Sequence, residues 1–364
     1  MTEKILKEEE RIAFALRSLY KKYGYLPYKM SKFEEYDLYV ANKEFLLGDG
    51  VITFNDTDGK LLALKPDVTL SIIKNSVDGE GKRKVYYNEN VYRISGNTKQ
   101  FKEIPQAGLE CIGEIGAYDV FEAVYLAAAS LSVISDKFVL DLSHLGVLFA
   151  VLSEIHAGEK FDKAVMRCLA EKNAHALAAL CVAEEISDTD AKKLHTLLSA
   201  YGKAELVLEK IAPVCNSGKA KVAFDELKKL CDLLSETEYS NNIRLDFSVV
   251  NDMNYYDDIV FKGFVDGIAD GVLSGGRYDK LMRRMGRRSG AIGFAVNLDA
   301  LENFNAKAQT QDVDVLVLYD DETSEEKIVS VVKAQVQTGK SVRAQKRTDG
   351  VRYDALVDIT GGGV

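Results

Sequence analysis

Residues 246–299 constrain the fold of this chain more than any other stretch, because they contain short apolar runs separated by glycines. The runs cover residues 245–250, 258–264, 271–274 and 291–296. Alternating apolar residues bounded by glycine and charge are typical of β-strands. A glycine at the end of a strand lets another group, often a ligand, approach the backbone. The stretch therefore predicts an antiparallel sheet, which is either the wall of a binding site or a plain meander.

The residues before and after this stretch predict alternating strands and helices. Helical spacing of apolar residues marks residues 3–23, 119–133 and 145–154, and a helix is expected after a break at residues 65–69. Strand patterns occur at residues 45–54, 61–64, 85–94, 101–115 and 137–142.

Residues 156–238 differ in composition from the rest of the chain, because they are rich in Ala, Leu, Lys and Glu and contain few β-branched residues. They predict a small all-helical insertion between residues 1–155 and 239–304, which together form the core. After a linker at 305–311, the tail reads β-α-β-β over residues 313–318, 325–338, 341–344 and 355–359. Residues 305–364 therefore predict a small C-terminal α/β unit.

Charge and cysteine usage exclude several classes of protein. The net charge of −9 argues against a polyanion such as tRNA as partner. Five cysteines without a CxxC pair, and four scattered histidines, predict neither a metal site nor a disulfide framework. The N-terminal stretch is charged, unlike a signal peptide, and no apolar run reaches the ~20 residues that span a membrane. A cytoplasmic protein is expected.

Five stretches, taken in order, resemble the catalytic core of histidyl-tRNA synthetase over roughly residues 1–153 and 240–303. They are Lys65-Pro66-Asp67-Val68-Thr69, Tyr92-Arg93 with Gln106-Ala107-Gly108-Leu109-Glu110, Tyr255-Tyr256-Asp257-Asp258-Ile259-Val260-Phe261, Gly275-Gly276-Arg277-Tyr278-Asp279 and Ala291-Ile292-Gly293-Phe294-Ala295. The resemblance implies an α+β fold of the class II aminoacyl-tRNA synthetase type. That fold is an antiparallel sheet flanked by helices, here with the helical insertion and the C-terminal α/β unit.

The same resemblance implies a pocket that binds histidine or a similar ligand. A segment matching residues 64–69 holds the amino group, with Lys65 in place of the family's arginine and Asp67 in place of its glutamate. A strand arginine holds the carboxylate, and a glutamine and a glutamate on the returning strand recognise the imidazole and the ammonium. The implied ligand-binding residues are Asp67, Thr69, Arg93, Gln106, Glu110, Tyr255 and Tyr256.

The departures from the synthetase pattern lie where the family binds phosphate. Asn251 and Ala300 stand where the resemblance places two arginines, and Ser95 replaces a glutamate. Lys99 and Lys102 are the nearby cations in the sequence. Loss of one such charge typically costs about 3–4 kcal/mol of transition-state stabilisation. The pattern therefore indicates a pocket that binds an amino acid without activating it, and no catalytic residue is predicted. The first-motif proline is also replaced, by Ser31.

This profile is similar to that of the regulatory subunits of short-form ATP phosphoribosyltransferase, which are paralogues of the synthetase. The resemblance implies a non-catalytic subunit that the catalytic subunit requires for activity, in the first step of histidine biosynthesis. It implies histidine as feedback effector, a homodimer through the class II core and a hetero-octamer with the catalytic subunit. It implies no cofactor, no metal and no tRNA.

Two alternatives remain, a divergent histidyl-tRNA synthetase and a synthetase-like paralogue with another ligase role. Residues 305–364 are either a reduced anticodon-binding domain or a family-specific appendage.

Each pocket residue also has a purely structural interpretation. Asp67 could cap the following helix, and Arg93 could pair with a surface carboxylate. Gln106 and Glu110 are four residues apart on a strand, so they share a face and form either a joint pocket or a cross-strand polar network.

Neighbouring residues in a strand face opposite sides, so Tyr256 is expected in the pocket and Tyr255 in the core. Residues 277–278 are expected to form a structural turn, and the arginines of residues 283–288 a solvated helix face or a subunit contact. His144 is expected to be a satisfied structural histidine.

Overall fold

The computed structural model describes residues 7–43, 50–79, 81–94, 100–250, 255–301, 304 and 311–361. The chain divides into two compact units. Glu9–Glu302 form the first, and Asn303–Val364 with Met1–Glu8 form the second.

The larger unit is built around one large sheet. Its strands, over the described residues, are β1 (Leu26–Pro27), β2 (Phe33–Glu35), β3 (Thr53–Asn55), β4 (Leu61–Leu64), β5 (Arg83–Ile94), β6 (Phe101–Gly113), β7 (Phe138–His144), β8 (Tyr201–Lys203), β9 (Ile243–Asp246), β10 (Ile259–Val265), β11 (Leu273–Arg277) and β12 (Gly290–Asn297).

Nine of these described strands form the large sheet, in the order β1-β5-β6-β12-β11-β10-β7-β9-β8. The six strands from β5 to β7 in this order are antiparallel to their neighbours, while β1 and β9 each join the sheet in parallel. A smaller antiparallel sheet has the order β2-β4-β3. The predicted α+β fold with an antiparallel central sheet is confirmed.

Helices cover one face of the large sheet and form most of the segment between β7 and β9. Those of the described residues are α1 (Glu8–Lys22), α2 (Tyr36–Ala41), α3 (Thr69–Lys74), α4 (Ala117–Ile134), α5 (Leu145–Ile155), α6 (Glu159–Ala170), α7 (Ala174–Ala183), α8 (Asp188–Leu198), α9 (Ala204–Ile211), α10 (Gly218–Ser235) and α11 (Asp279–Arg284), with short 3₁₀ turns at Ala212–Val214 and Leu298–Leu301.

Helix α4 is the centre of the core behind the sheet. Leu131 of α4 packs so closely on β10 that a Cβ at Gly263 would lie 2.6 Å from its Cδ1. The hydroxyl groups of Tyr20 on α1 and Ser130 on α4 are hydrogen-bonded at 3.0 Å. By length and composition α4 could cross a membrane, but 61% of it is buried inside the fold, as expected of a core helix. Because α4 fills one face of the large sheet, a ligand cavity can form only on the opposite face.

The prediction of an all-helical insertion is wrong in one respect, because the insertion also contains a strand. Strand β8 lies within residues 156–238 and pairs antiparallel with β9 at the edge of the large sheet. The backbone groups of an edge strand are open to such pairing, which composition does not reveal.

Two strand predictions need correction. Strand β9 ends at Asp246 and does not continue to residue 250, because the Asp246 carboxylate accepts the Ser248 N–H at 2.9 Å and begins a turn. The strand predicted at 45–54 lies partly outside the described residues, and β3 covers Thr53–Asn55.

The smaller unit has the predicted β-α-β-β order. It contains β13 (Val313–Leu318), α12 (Glu325–Gln337), β14 (Val342–Gln345) and β15 (Tyr353–Asp358). The strands form a parallel sheet in the order β14-β13-β15, around a small core of Val315, Val317 and Ile359.

Candidate ligand-binding site

A partly enclosed cavity of about 90 Å³ lies on the face of the large sheet opposite α4. Drug-sized ligands occupy pockets of roughly 300–1,000 Å³, so this cavity suits a much smaller molecule. Strands β5, β6, β11 and β12 supply its floor, and the segments before α3 and β10 supply its sides. Its lining residues are Asp67, Val68, Thr69, Tyr87, Arg93, Gln106, Glu110, Tyr255, Tyr256, Ser274, Tyr278, Gly293, Phe294, Ala295 and Asn297.

All seven residues predicted from the sequence lie around this one cavity. They come from three separate parts of the chain, which the sheet brings together. Their grouping supports a shared binding role, and that role stays a prediction.

Asp67 has both of the structural features considered for it. Its Oδ1 accepts a hydrogen bond from the backbone N–H of Leu70 at 2.9 Å, in the first turn of α3. The carboxylate is also buried against the cavity. Burial raises the pKa of Asp67, although the Leu70 N–H and the Arg93 charge act in the opposite direction. Asp67 can therefore cap the helix and face a ligand at once.

Glu110 is a second buried carboxyl of the cavity whose pKa is raised. The Thr69 hydroxyl donates to Oε1 at 2.7 Å, and the Tyr278 hydroxyl donates to Oε2 at 2.5 Å. Burial raises the pKa of Glu110 to about 8. The two hydrogen bonds lower this pKa, and the nearby Asp67 charge raises it. The cavity thus holds a carboxyl group that a bound ammonium or imidazolium would ionise.

Arg93 and Gln106 also belong to the polar lining. The Nε of Arg93 donates to the Pro66 carbonyl at 2.8 Å, which anchors the guanidinium beside the cavity. The Gln106 amide donates to Asn297 Oδ1 at 2.7 Å, across β6 and β12. A guanidinium is well suited to a carboxylate. The cavity therefore offers one cation and two carboxyls to a small zwitterion.

Tyr255 and Tyr256 both line the cavity, so the prediction that Tyr255 points away into the core is wrong. The rule of alternating faces does not apply, because β10 begins only at Ile259. The two rings contact each other edge to face, with centroids 4.8 Å apart. Gly276 makes room for them, since a Cβ there would lie 2.7 Å from Tyr256 Cδ1.

Several cavity residues are not among those predicted. Tyr278 was expected in a structural turn, yet its hydroxyl reaches Glu110. Tyr87, Ser274 and Asn297 also line the cavity. The Gly-Gly-Arg-Tyr-Asp stretch was a usable signal for Tyr278. Asn297 could be found only from the register of the sheet, because Asn297 pairs with Gln106 across β6 and β12.

The region that binds nucleotide in the synthetase pattern is described only in part. Asn251, Ser95 and Lys99 lie outside the described residues. Ala300 lies in the 3₁₀ turn Leu298–Leu301 and carries no charge. Next to it, Lys102 and Asp299 form an ion pair at 2.5 Å.

Other polar groups considered in the sequence lie apart from this cavity. Arg277 is the last residue of β11 and not part of a turn, and it pairs with Asp279 and Asp258. Arg283 is exposed and pairs with Asp257. The expectation that His144 is satisfied is only half right, since Nε2 contacts Asp258 but the buried Nδ1 has no hydrogen-bond partner among the described residues.

The raised pKa of Glu110 predicts that the fold loses stability as pH rises. Between about pH 4.5 and 8 the folded chain holds a proton that the unfolded chain has lost. The free energy of unfolding should therefore decrease across this window, by a few kcal/mol in total. Glu110→Gln should reduce this decrease, measured by denaturant unfolding at pH 5.5 and 8.5. Parallel pH profiles for the two proteins would contradict it.

Comparison with known proteins places the chain in a family. The histidyl-tRNA synthetase family model matches residues 2–301. An ATP phosphoribosyltransferase regulatory subunit of Clostridium botulinum is 28% identical over 334 residues, covering 87% of this chain and 79% of the relative. One from Caldanaerobacter subterraneus is 29% identical over 289 residues, covering 78% and 75%.

Solved structures share the fold. A Bacillus halodurans ATP phosphoribosyltransferase regulatory subunit/histidyl-tRNA synthetase matches with a TM-score of 0.78 at 24% identity, covering 98% of this chain and 95% of that one. A chain of the ATP phosphoribosyl transferase (HisG:HisZ) complex from Thermotoga maritima matches with a TM-score of 0.63 at 17% identity, covering 80% and 97%. The chain belongs to the histidyl-tRNA synthetase family, within which it is similar to the regulatory subunits of ATP phosphoribosyltransferase.

Proposed function

We propose that this chain is the non-catalytic regulatory subunit of a short-form ATP phosphoribosyltransferase. It activates a separate catalytic subunit in the first step of histidine biosynthesis and binds histidine as feedback inhibitor. The observation that carries the proposal is the small cavity that brings Asp67, Glu110 and Arg93 together. These groups suit the ammonium and the carboxylate of an amino acid, and the cavity is much smaller than a nucleotide site.

The side chains at the positions that bind nucleotide in the synthetase pattern support binding without adenylation. Ala300 has no guanidinium to hold a triphosphate, and the ammonium of Lys102 is paired with Asp299. Phosphoryl and nucleotidyl transfer depend on cations placed at the phosphates. We therefore expect no histidine-dependent exchange of pyrophosphate into ATP by the chain alone.

The decisive experiment mixes the purified chain with the short-form catalytic subunit of the same genome. The condensation of ATP with phosphoribosyl pyrophosphate is measured for each protein alone and for the mixture, with and without histidine. Activity should appear in the mixture and fall when histidine is added. A mixture no more active than the catalytic subunit would refute the proposal, and pyrophosphate exchange by the chain alone would identify a divergent synthetase.

Assembly is part of the proposal, as a homodimer through the class II core and a hetero-octamer with the catalytic subunit. A related chain belongs to the Thermotoga maritima HisG:HisZ complex, which supports a catalytic-subunit partner. The sheet β2-β4-β3 supports the homodimer because it exposes apolar side chains. Phe33 and Phe54 are 46% and 39% exposed and touch edge to face on one face of this sheet. Burial of such a patch is a usual driving force for association.

Phe54→Glu should shift the homodimer toward monomer. A charge in this apolar patch would have to be desolvated on association, so the dimer dissociation constant should rise by about 100-fold or more. Light scattering over a dilution series measures the change. Val182→Glu on α7 is the matched control, because Val182 is 79% exposed and lies outside the patch. Equal masses for the two variants would place the dimer contact elsewhere.

A cytoplasmic location completes the proposal. All five cysteines are free and buried, which fits a reducing compartment.

A further inference from the structure

A second polar cluster lies away from the ligand cavity, where α10 faces the ends of β7 and β10. It consists of His144, Glu226 on α10 and Asp258. His144 Nε2 lies 2.9 Å from Asp258 Oδ1 and 3.9 Å from Glu226 Oε2. The three ligating atoms all lie within 4.8 Å of one another, and no other group of His, Cys, Asp or Glu among the described residues has this arrangement.

A cavity of about 400 Å³ opens beside these three side chains. Gly146 contributes to this space, because a Cβ there would lie 2.9 Å from His144 Cε1. The imidazole is buried, with a side-chain exposure of 5%, while the Glu226 side chain is 64% exposed. The cluster thus combines one buried imidazole nitrogen, one partly buried carboxylate and one exposed carboxylate, next to room for water.

We propose that His144, Asp258 and Glu226 bind a divalent cation of the zinc type, with water completing its coordination. Zinc takes imidazole nitrogen and carboxylate oxygen ligands at about 2.0–2.2 Å in tetrahedral geometry, which separates neighbouring ligand atoms by roughly 3.3 Å. The observed separations of 2.9 and 3.9 Å lie on either side of that value. Rotation of the exposed Glu226 side chain brings the third ligand in.

The surroundings of the cluster are those of a moderate-affinity site. Two carboxylates balance the charge of the cation. Arg277 lies 3.3 Å from the other oxygen of Asp258 and orients that carboxylate, as groups behind metal ligands commonly do. Coordination through Nε2 moves the ring proton to Nδ1, which is buried without a partner among the described residues. That cost lowers the affinity for the cation.

The proposed cation would connect the helical insertion to the core. His144 ends β7, Asp258 precedes β10 and Glu226 lies near the middle of α10. Ligands from three separate elements add a link between those elements when the metal is bound. Zinc should therefore raise the melting temperature of the full chain.

The test titrates ZnCl₂ into the full-length chain after removal of metal with EDTA, using isothermal titration calorimetry. One saturable site is expected. Glu226→Gln should weaken the affinity by about 10- to 100-fold and remove the zinc-dependent rise in melting temperature. This variant keeps its fold because Glu226 is exposed. His144→Ala should abolish saturable binding.

His175→Ala on α7 is the matched control, since it removes an exposed histidine of the insertion outside the cluster. It should bind zinc as the unmodified chain does. The absence of a saturable site, unchanged affinity in Glu226→Gln, or loss of binding in His175→Ala would each overturn the proposal.

Discussion

Gly293→Ala is expected to lower the free energy of unfolding by more than about 3 kcal/mol. Gly293 lies in the middle of β12, opposite Gly276 of β11 and Glu110 of β6. A Cβ at this position would lie 1.7 Å from Glu110 Oε2 and 2.4 Å from the Leu109 carbonyl oxygen. The carbonyl belongs to the backbone of the neighbouring strand, so rotation of a side chain cannot relieve the clash. Denaturant unfolding measures the change.

Gly116→Ala is the matched control. Its backbone conformation suits any residue, and the nearest heavy atom to an added Cβ is Asp119 Oδ2 at 3.7 Å. The control should change stability by less than about 1 kcal/mol. Comparable losses in the two variants would mean that close packing at Gly293 is not what limits substitution there.

Arg93→Leu is expected to weaken histidine binding by about 100-fold. The guanidinium is the one cation that lines the cavity among the described residues, and its Nε is fixed by the Pro66 carbonyl. Loss of a charge-assisted, bidentate contact to a carboxylate typically removes about 2–3 kcal/mol of binding free energy. Calorimetric titration with histidine measures the affinity. In the mixture with the catalytic subunit, activation should persist while inhibition by histidine is lost.

Arg83→Leu separates this effect from a general loss of positive charge. Arg83 lies on the same strand, outside the cavity, where it donates to the Asn75 carbonyl. This variant should keep its affinity for histidine and its inhibition. If Arg93→Leu bound histidine normally, the proposed orientation of the ligand would be wrong. If it lost activation as well, the cavity would be coupled to the partner contact and not to inhibition alone.

The pocket residues could be found in the sequence because their motifs follow one another in a recognisable order. Asp67, Arg93 and Glu110 each belong to a short stretch whose neighbours carry the resemblance, and all three reach the cavity. The assignment of Tyr255 failed because strand alternation was applied to a segment that is not a strand. Tyr278 lies 168 positions from Glu110, and Asn297 lies 191 from Gln106. Such distant pairs depend on how β6, β11 and β12 align, which no local pattern contains.

By itself, the sequence determined most of the order of strands and helices, the family and the kinds of side chain around the pocket. Those properties follow from local periodicity and from short motifs, which involve residues that are close together in the sequence. The tertiary structure alone decided which distant polar groups contact one another in that pocket and how they ionise. Glu110 is an ordinary carboxyl in the sequence, and its pKa rises to about 8 because the folded sheet removes water from it. The cluster of His144, Glu226 and Asp258 likewise exists only after folding has brought three distant elements together.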